Sequence, residues 1–399
     1  MRAAPAAPAP FSGYLPVLDG VRGIAIAMVM ALHFIGETAF AGFAGRRFLQ
    51  VAAYGGYGVD LFFVLSGFLI SGILCDARQS SRYFRDFYAR RALRIFPLYY
   101  GVLFVLLLVL PAIPAFRSEA IDAVRSHQAW LWLYGLNFLQ AWEGQLLPYV
   151  SHFWSLAIEE HFYLVWPLIV WLLPRHRLLA VCAGIAVVST TTRVALAWWG
   201  VNDIALHLMT FTRLDGLCTG AFLAVYVREQ LEPAARLRRA GVFLLIAGGT
   251  GALLTMAPSA MNQAPLPAML AARPSFIVLL LAAFVAFGLT SDARAPLHGL
   301  LTTRGMRVLG KYSYGLYVFH ALIADFMLRH GTLASIGRFV PGVAGPFIVQ
   351  VGLGVTLSMA LAVLSYQYYE KRFLVLKERF RSEQPRAALT GRLPPTCTP

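Results

Sequence analysis

Asp19-Gly-Val-Arg-Gly-Ile-Ala-Ile-Ala-Met-Val-Met-Ala-Leu-His33 runs from a charged turn into an apolar helix and stops at a histidine. At about 1.5 Å per residue, an arginine at one bilayer face (Arg22) holds His33 roughly 16 Å deeper, near the middle of a hydrocarbon core about 30 Å thick. An imidazole is costly at that depth, so an intramembrane titratable group is first a hypothesis of function. The competing reading is a histidine hydrogen-bonded between packed helices. Ile24 to Ile35 followed by Ala39-Phe40-Ala41 also imitates a secretory leader and its cleavage site. That reading is rejected, because the leader is too long and Asp19, Arg22 and His33 interrupt its pattern.

The rest of the chain places this stretch in a membrane. Hydrophobic residues make up 58% of the 399 and charged residues only 13%, and the mean hydropathy is +0.64, which excludes an ordinary soluble domain. The net charge of +15 does not indicate nucleic acid, since the arginines gather in short loops between apolar stretches, as the positive-inside rule expects. Their partner is the anionic membrane face or an anionic cytosolic ligand. Cys75, Cys182, Cys218 and Cys397 have no metal-ligand spacing, so no metal site and no disulfide framework is expected.

Apolar length predicts spans near 21–40, 57–75, 95–113, 152–173, 178–199, 207–227, 240–257, 274–290, 309–328 and 344–368. Alternate loops then carry Arg78 to Arg94, Arg175 and Arg177, Arg228 to Arg239, Arg294 to Arg307, and the tail from Lys371, against far fewer cations on the other side. The expected fold is an all-α polytopic integral membrane bundle of about ten helices with both termini cytosolic. A further apolar stretch, Trp130 to Trp142, is short, and a crossing there reverses the charge bias of every later loop. Residues 114–151 are therefore read as an outer loop whose aromatics lie at the interface or dip back into the protein. Residues 1–18 read as a disordered cytosolic tail, 19–372 as the membrane domain, and 373–399 as a basic, Pro-containing cytosolic tail.

Four more stretches carry chemistry. Gly58 to Ile70 has a carboxylate, Asp60, near the outer side and places Ser66 and Gly67 at mid-depth. Ser66 either hydrogen-bonds across a close helix contact or forms a nucleophilic pair with His33. In Tyr88 to Tyr100, Arg91 and Arg94 lie three apart and share a helix face, and with Arg90 they make a guanidinium cluster suited to phosphate; the same charges also suit any cytosolic loop. His152 to Pro167 puts Glu159 roughly 24 Å from the cytosolic Arg175, within reach of the level of His33. There it could orient the imidazole and steady the imidazolium formed in transfer, with Glu160 pointing elsewhere; the alternative is an interfacial residue beside Trp154. Arg213 and Asp215 form a candidate buried pair, structural or substrate-binding. His320 lies roughly 14 Å in from Lys311.

At these residues the chain resembles the membrane acyltransferase family 3. The resemblance rests on the R-x10-H of Arg22 and His33, FFVLSGFLI at 62–70, RRxxRIxP from Arg90 to Pro97, WSLxxEExFYLxWP from Trp154 to Pro167, and GxxSYGxYxxH from Gly310 to His320. All five occur in the family's order and together cover about 17–373. The resemblance implies a multi-pass protein of a bacterial-type cytoplasmic membrane that O-acylates a glycan or other hydroxylated acceptor. The donor is cytosolic acyl-CoA, commonly acetyl-CoA, used as a substrate, with no bound cofactor. By that likeness His33 maps to the family's essential histidine, Arg22 to its paired arginine, Arg91 and Arg94 to its RxxR and Glu159 to the motif's glutamate. The expected site then has His33 and Glu159 as catalytic residues, Arg22, Arg90, Arg91 and Arg94 binding acyl-CoA, and Asp19, Asp60, Ser66, Trp154, Ser155, Arg213, Asp215 and His320 supporting the substrate. His161 stands where glutamine is frequent and Phe319 where smaller residues often precede the histidine. The secreted esterase-like domain of some members is not expected after the last span. The alternative class is a proton-coupled transporter of a polar or anionic solute, relaying through His33, Glu159 and His320; the cytosolic arginine cluster argues for the large phosphorylated donor instead.

Overall fold

The computed structural model describes residues 14–35, 51–229, 232–260, 266–340 and 344–380. All regular elements among them are helical. The first long helices are α1 (Pro16–Ile35), α2 (Tyr57–Ala77) and α3 (Tyr83–Phe104), the last continued by a π turn over Val105–Val109. Three short outer helices follow, α4 (Glu119–Ser126), α5 (Gln128–Trp132) and α6 (Leu136–Glu143). Next come α7 (Trp154–Leu172), α8 (Arg175–Trp198), the short α9 (Asp203–Leu208) and α10 (Leu214–Tyr226). The chain continues with α11 (Pro233–Ala260), α12 (Pro267–Thr290), α13 (Pro296–Thr302), α14 (Arg304–Arg329), α15 (Thr332–Gly337), α16 (Ala344–Ser365) and α17 (Lys371–Leu376).

Each expected span has a helix, and among the described residues seven helices are long and apolar enough to cross a membrane on their own. The exceptions have physical causes. Helix α7 carries Glu159 and Glu160, α14 carries Arg304, Arg307, Lys311 and Asp325, and the 207–227 stretch unwinds around Met209–Arg213, leaving α10 only thirteen residues long. Three boundaries also move. Helix α1 begins at Pro16, so Asp19 and Arg22 lie within its first turns rather than in a charged turn, and Pro16 to Leu18 are not tail. The basic stretch before Ile95 is the first half of α3, not a loop. Residues 373–380, assigned to the tail, are helical as well. The rest of the expected tails, 1–13 and 381–399, and the end of the first expected span, 36–40, lie outside the described residues.

The centre of the bundle is α1 packed against α14 and α2, with α2 against α10. Both contacts use glycine. A Cβ on Gly310 would strike the carbonyl of Asp19, while Gly67 and Gly220 meet the Leu217 and Val64 carbonyls across the α2–α10 crossing. The close approach that the FFVLSGFLI stretch suggested is thus reciprocal, one glycine from each helix. Because Asp19 meets Gly310 and His33 meets His320, α1 and α14 run parallel. Helix α16 packs outside α14, and α8, α12 and α11 complete the opposite side.

None of α4 to α6 is long enough to span. The 114–151 segment folds onto the bundle instead: Asn137 and Gln140 are buried, Asn137 donates to Leu208 O at 3.1 Å, and Trp142 stays 89% exposed.

Candidate functional site

Helices α1, α2, α3, α7 and α14 enclose a cavity of about 240 Å³. Arg22, Arg90, Arg91, Arg94 and Lys377 line its mouth, Phe62, Leu69, Ile70 and Ile95 its walls, and Ser66, Ser155, Glu159, Tyr163 and Tyr317 its polar reaches. Arg91 and Arg94 share the cavity-facing side of α3, as their spacing requires, and the Arg91 guanidinium lies 5.7 Å from the Tyr163 ring centroid. Arg22 is held by Asp19 at 2.9 Å one turn earlier on α1. Tyr314 of α14 donates to Ile95 O of α3 at 2.7 Å, which fixes the arginine-bearing half of α3 against α14. The four arginines expected to bind the donor therefore converge on one space, joined by Lys377, which the sequence analysis did not single out.

Deeper in, a chain of hydroxyls ends on a carboxylate. Tyr163 donates to Glu159 Oε2 at 3.1 Å, four residues back on the same helix face. A short hydrogen bond joins Ser66 to the same Tyr163 hydroxyl, so the Ser66 proton points to Tyr163. Two expectations change here. Ser66 makes no pair with His33, because its hydroxyl is committed to α7. Glu159 faces the arginine-lined cavity, and among the described contacts it does not touch His33. It is also not an interfacial residue: Trp154, one turn above, is buried between the rings of Phe63 at 6.1 Å and His207 at 5.0 Å. Glu160, on the next face, does not line the cavity, and its Oε1 is buried with no partner among the described residues.

What orients His33 is His320. The His320 Nε2 lies 3.3 Å from His33 Nδ1, with the rings edge to face at 4.8 Å. The tautomers follow from the carbonyls around them. His320 Nδ1 sits 3.0 Å from Leu316 O and 2.8 Å from Tyr317 O, so the proton of the neutral ring belongs there and Nε2 carries the lone pair. His33 Nδ1 faces that lone pair and Val29 O at 2.9 Å, so it too carries the proton. The lone pair of His33 is then on Nε2, which has no hydrogen-bond partner among the described residues. An imidazole fixed in this way by its other nitrogen is the arrangement of a general base.

The pair and the cavity are one ring apart. Tyr317, three residues before His320, lines the cavity, and its ring lies 5.6 Å from that of His320. Its hydroxyl meets Ser155 Oγ at 2.5 Å and His152 O at 2.9 Å. His152 is buried 5.5 Å from the His320 ring, with Nε2 at 3.2 Å from Val318 O. Tyr163, Tyr317 and His152 were missed in sequence, though each lay inside a quoted motif; the i,i+4 spacing from Glu159 was the available signal for Tyr163.

Arg213 and Asp215 do not pair with each other. Arg213 ends the unwound segment before α10 and Asp215 lies in the first turn of that helix, and each finds its own partner. Arg213 meets Asp60 at 2.6 Å, both 1% exposed, and Asp215 meets Arg193 at 3.1 Å, both 3% exposed. Ser275 bridges Asp215 and Arg193, and Arg193 also donates to Thr212 O and Ala271 O. These charges lie outside the cavity and tie α2, α8, α10 and α12 together. Arg193, the one charge in the apolar run that follows Arg177 in α8, was the signal overlooked. His161 is likewise structural, 2.8 Å from Thr210 Oγ1 and stacked on Phe138 at 5.3 Å. Among the described residues no group of three or more His, Cys, Asp or Glu could hold a metal ion.

A family profile described as an acyltransferase domain matches residues 15–367. The peptidoglycan O-acetyltransferase OatA of Listeria monocytogenes is 27% identical over 352 residues, which cover 84% of this chain and 54% of that protein. The O-acetyltransferase OatA of Staphylococcus aureus is 25% identical over 377 residues, 90% of this chain and 57% of that protein. The chain spans about half the length of the curated relatives it matches. No solved structure matches it.

Proposed function

The chain belongs to this acyltransferase family, and from that premise we propose that it is a membrane O-acyltransferase of a bacterial cytoplasmic membrane. It moves an acyl group from acyl-CoA, taken up on the arginine-rich side, to a hydroxyl of a glycan or other hydroxylated acceptor. The names of its relatives favour acetyl as the group and an envelope glycan such as peptidoglycan as the acceptor. The observation that carries this reading is the cavity: cationic at its mouth, apolar along its length, and ending at Ser155 and Tyr317 beside the oriented His33–His320 pair.

In this mechanism Arg22, Arg90, Arg91 and Arg94 hold the phosphates of the donor, as planar guanidinium forks do well. The acyl-bearing arm lies along the apolar walls. His33 Nε2 accepts the proton of the acceptor hydroxyl as its oxygen attacks the thioester carbonyl; the C–O bond forms, the C–S bond breaks, and the departing thiolate takes up the proton. His320 holds the attacking tautomer of His33 in place. A proton-coupled transporter is not favoured, since neither the family nor the cluster of four arginines at the mouth calls for a small-solute pathway.

The test is purified full-length protein incubated with acetyl-CoA labelled in its acetyl group and fractionated envelope glycans. Label should pass to a glycan fraction with the wild-type protein and not with His33→Ala. Transfer by neither, or equally by both, overturns the proposal.

A further inference from the structure

The cavity described above adjoins a second one of about 560 Å³, and the two share Arg22, Arg94, Tyr314 and Lys377 as lining. On its far side Arg304, Arg307 and Lys311 line the outer cavity. Their spacing of three and four residues puts all three on one face of α14. None of the three is in an ion pair among the described residues; Arg307 reaches the Tyr14 hydroxyl at 3.4 Å, and the Lys311 ammonium lies 5.0 and 5.1 Å from the ring centroids of Tyr312 and Tyr366. Three carboxylates also line it: Asp19 is held by Arg22 and Tyr14, Glu370 accepts from Ser365, and Glu378 stands beside Lys377. The outer cavity thus combines three cations outside any ion pair among the described residues with the aromatic rings of Tyr14, Tyr312 and Tyr366. A basic membrane-facing loop accounts for the charges but not for their lining a concave space.

We infer that this outer cavity takes the 3′-phosphorylated nucleoside end of the donor, with the diphosphate at the shared waist and the acyl arm in the inner cavity. The inference rests on the acyl-CoA reading and deepens it. Arg304, Arg307 and Lys311 supply charge-assisted hydrogen bonds to the 3′-phosphate, and the tyrosine faces receive the purine. Along α14, Arg307 and Tyr317 are ten residues apart, roughly 15 Å, which separates the nucleoside from the acyl end as an extended donor requires. The protein therefore selects 3′-phosphorylated CoA thioesters over their dephospho forms.

The experiment is binding to purified full-length protein, with CoA and dephospho-CoA as probes and no acceptor present. CoA should bind about tenfold or more tighter than dephospho-CoA, the factor that one or two charge-assisted hydrogen bonds supply. Arg304→Ala/Arg307→Ala/Lys311→Ala should bring the ratio towards one by weakening CoA, and Arg304→Lys/Arg307→Lys should keep much of it. Arg91→Ala should weaken both ligands and keep the ratio. Equal binding of the two by the wild-type protein, or a ratio unchanged in the triple variant, overturns this inference and leaves the acyl-CoA reading standing. Binding of neither ligand overturns both.

Discussion

His33 is set by two neighbours, Val29 O and His320, and this decides what its loss should do. His33→Ala removes the base and should lower turnover by roughly 10²–10⁴, with the donor KM little changed. His320→Ala should lower kcat by less and His320→Asn should restore part of it, since His320 acts through His33; a purely structural role would instead reduce the amount of folded protein at unchanged turnover. Arg91→Ala and Arg94→Ala should each raise the donor KM roughly tenfold with kcat nearly kept, the effect shrinking at high salt. Steady-state kinetics at two ionic strengths separate these cases, and a kcat effect without a KM effect removes the arginines from donor binding. That His33 and His320 lie together and the arginines line one cavity was legible because a titratable residue inside an apolar run stands out. The role expected of Glu159 was not, because depth along a helix says how far up a side chain lies but not which way it faces. Its neighbour Tyr163 and the Ser66 hydroxyl across α2 turn it towards the arginines. Glu159→Gln preserves an acceptor for Tyr163, so it should retain more activity than Glu159→Ala.

Between elements, α2 and α10 are joined by two reciprocal glycine contacts and by Asp60–Arg213, which together hold α2 where Phe62, Ser66 and Leu69 line the cavity. Asp60→Asn leaves Arg213 buried without its counter-ion and should cost about 3–5 kcal/mol of stability. Replacing both, Asp60→Asn with Arg213→Gln, should recover much of that loss, because the uncompensated charge is gone. Thermal unfolding of the purified variants reads this directly; a double variant as unstable as the sum of the singles means that the pair is not coupled. Sequence reading singled out Asp60, Arg213 and Asp215, yet paired the two that lie two residues apart in the chain. The correct pairing depends on which helices touch, and the fourth member, Arg193, lies on α8, twenty residues before Arg213. Helix existence was legible from apolar length, while the unwinding at Met209–Arg213 was not, since Thr and Met carry no strong breaker signal there.

At the scale of the whole molecule the membrane topology rests on two independent lines. Arginine counts along the chain assign sides to loops. The packing adds that α1 and α14 run parallel, so an odd number of crossings lies between them, as the seven of α2, α3, α7, α8, α10, α11 and α12 do when α4 to α6 stay on one side. Tyr14, near the start of the described chain, and Lys377, near its end, line the same cavity, so these two points share a face, the one that carries Arg22, Arg94 and Arg304. Substituted cysteines can test this, because Cys75, Cys182 and Cys218 are buried and Cys397→Ser gives a quiet background. Trp142→Cys and Phe339→Cys, at positions 89% and 86% exposed, should react with a membrane-impermeant maleimide in intact spheroplasts. Tyr14→Cys and Arg379→Cys should react only after permeabilisation. Labelling of Trp142→Cys from the same side as Arg379→Cys means that residues 119–143 cross after all, and it moves Arg304 and Arg307 away from Arg22. Because the cavity requires those arginines on one side, that outcome contradicts the packing as well as the charge bias, so the two lines stand or fall together.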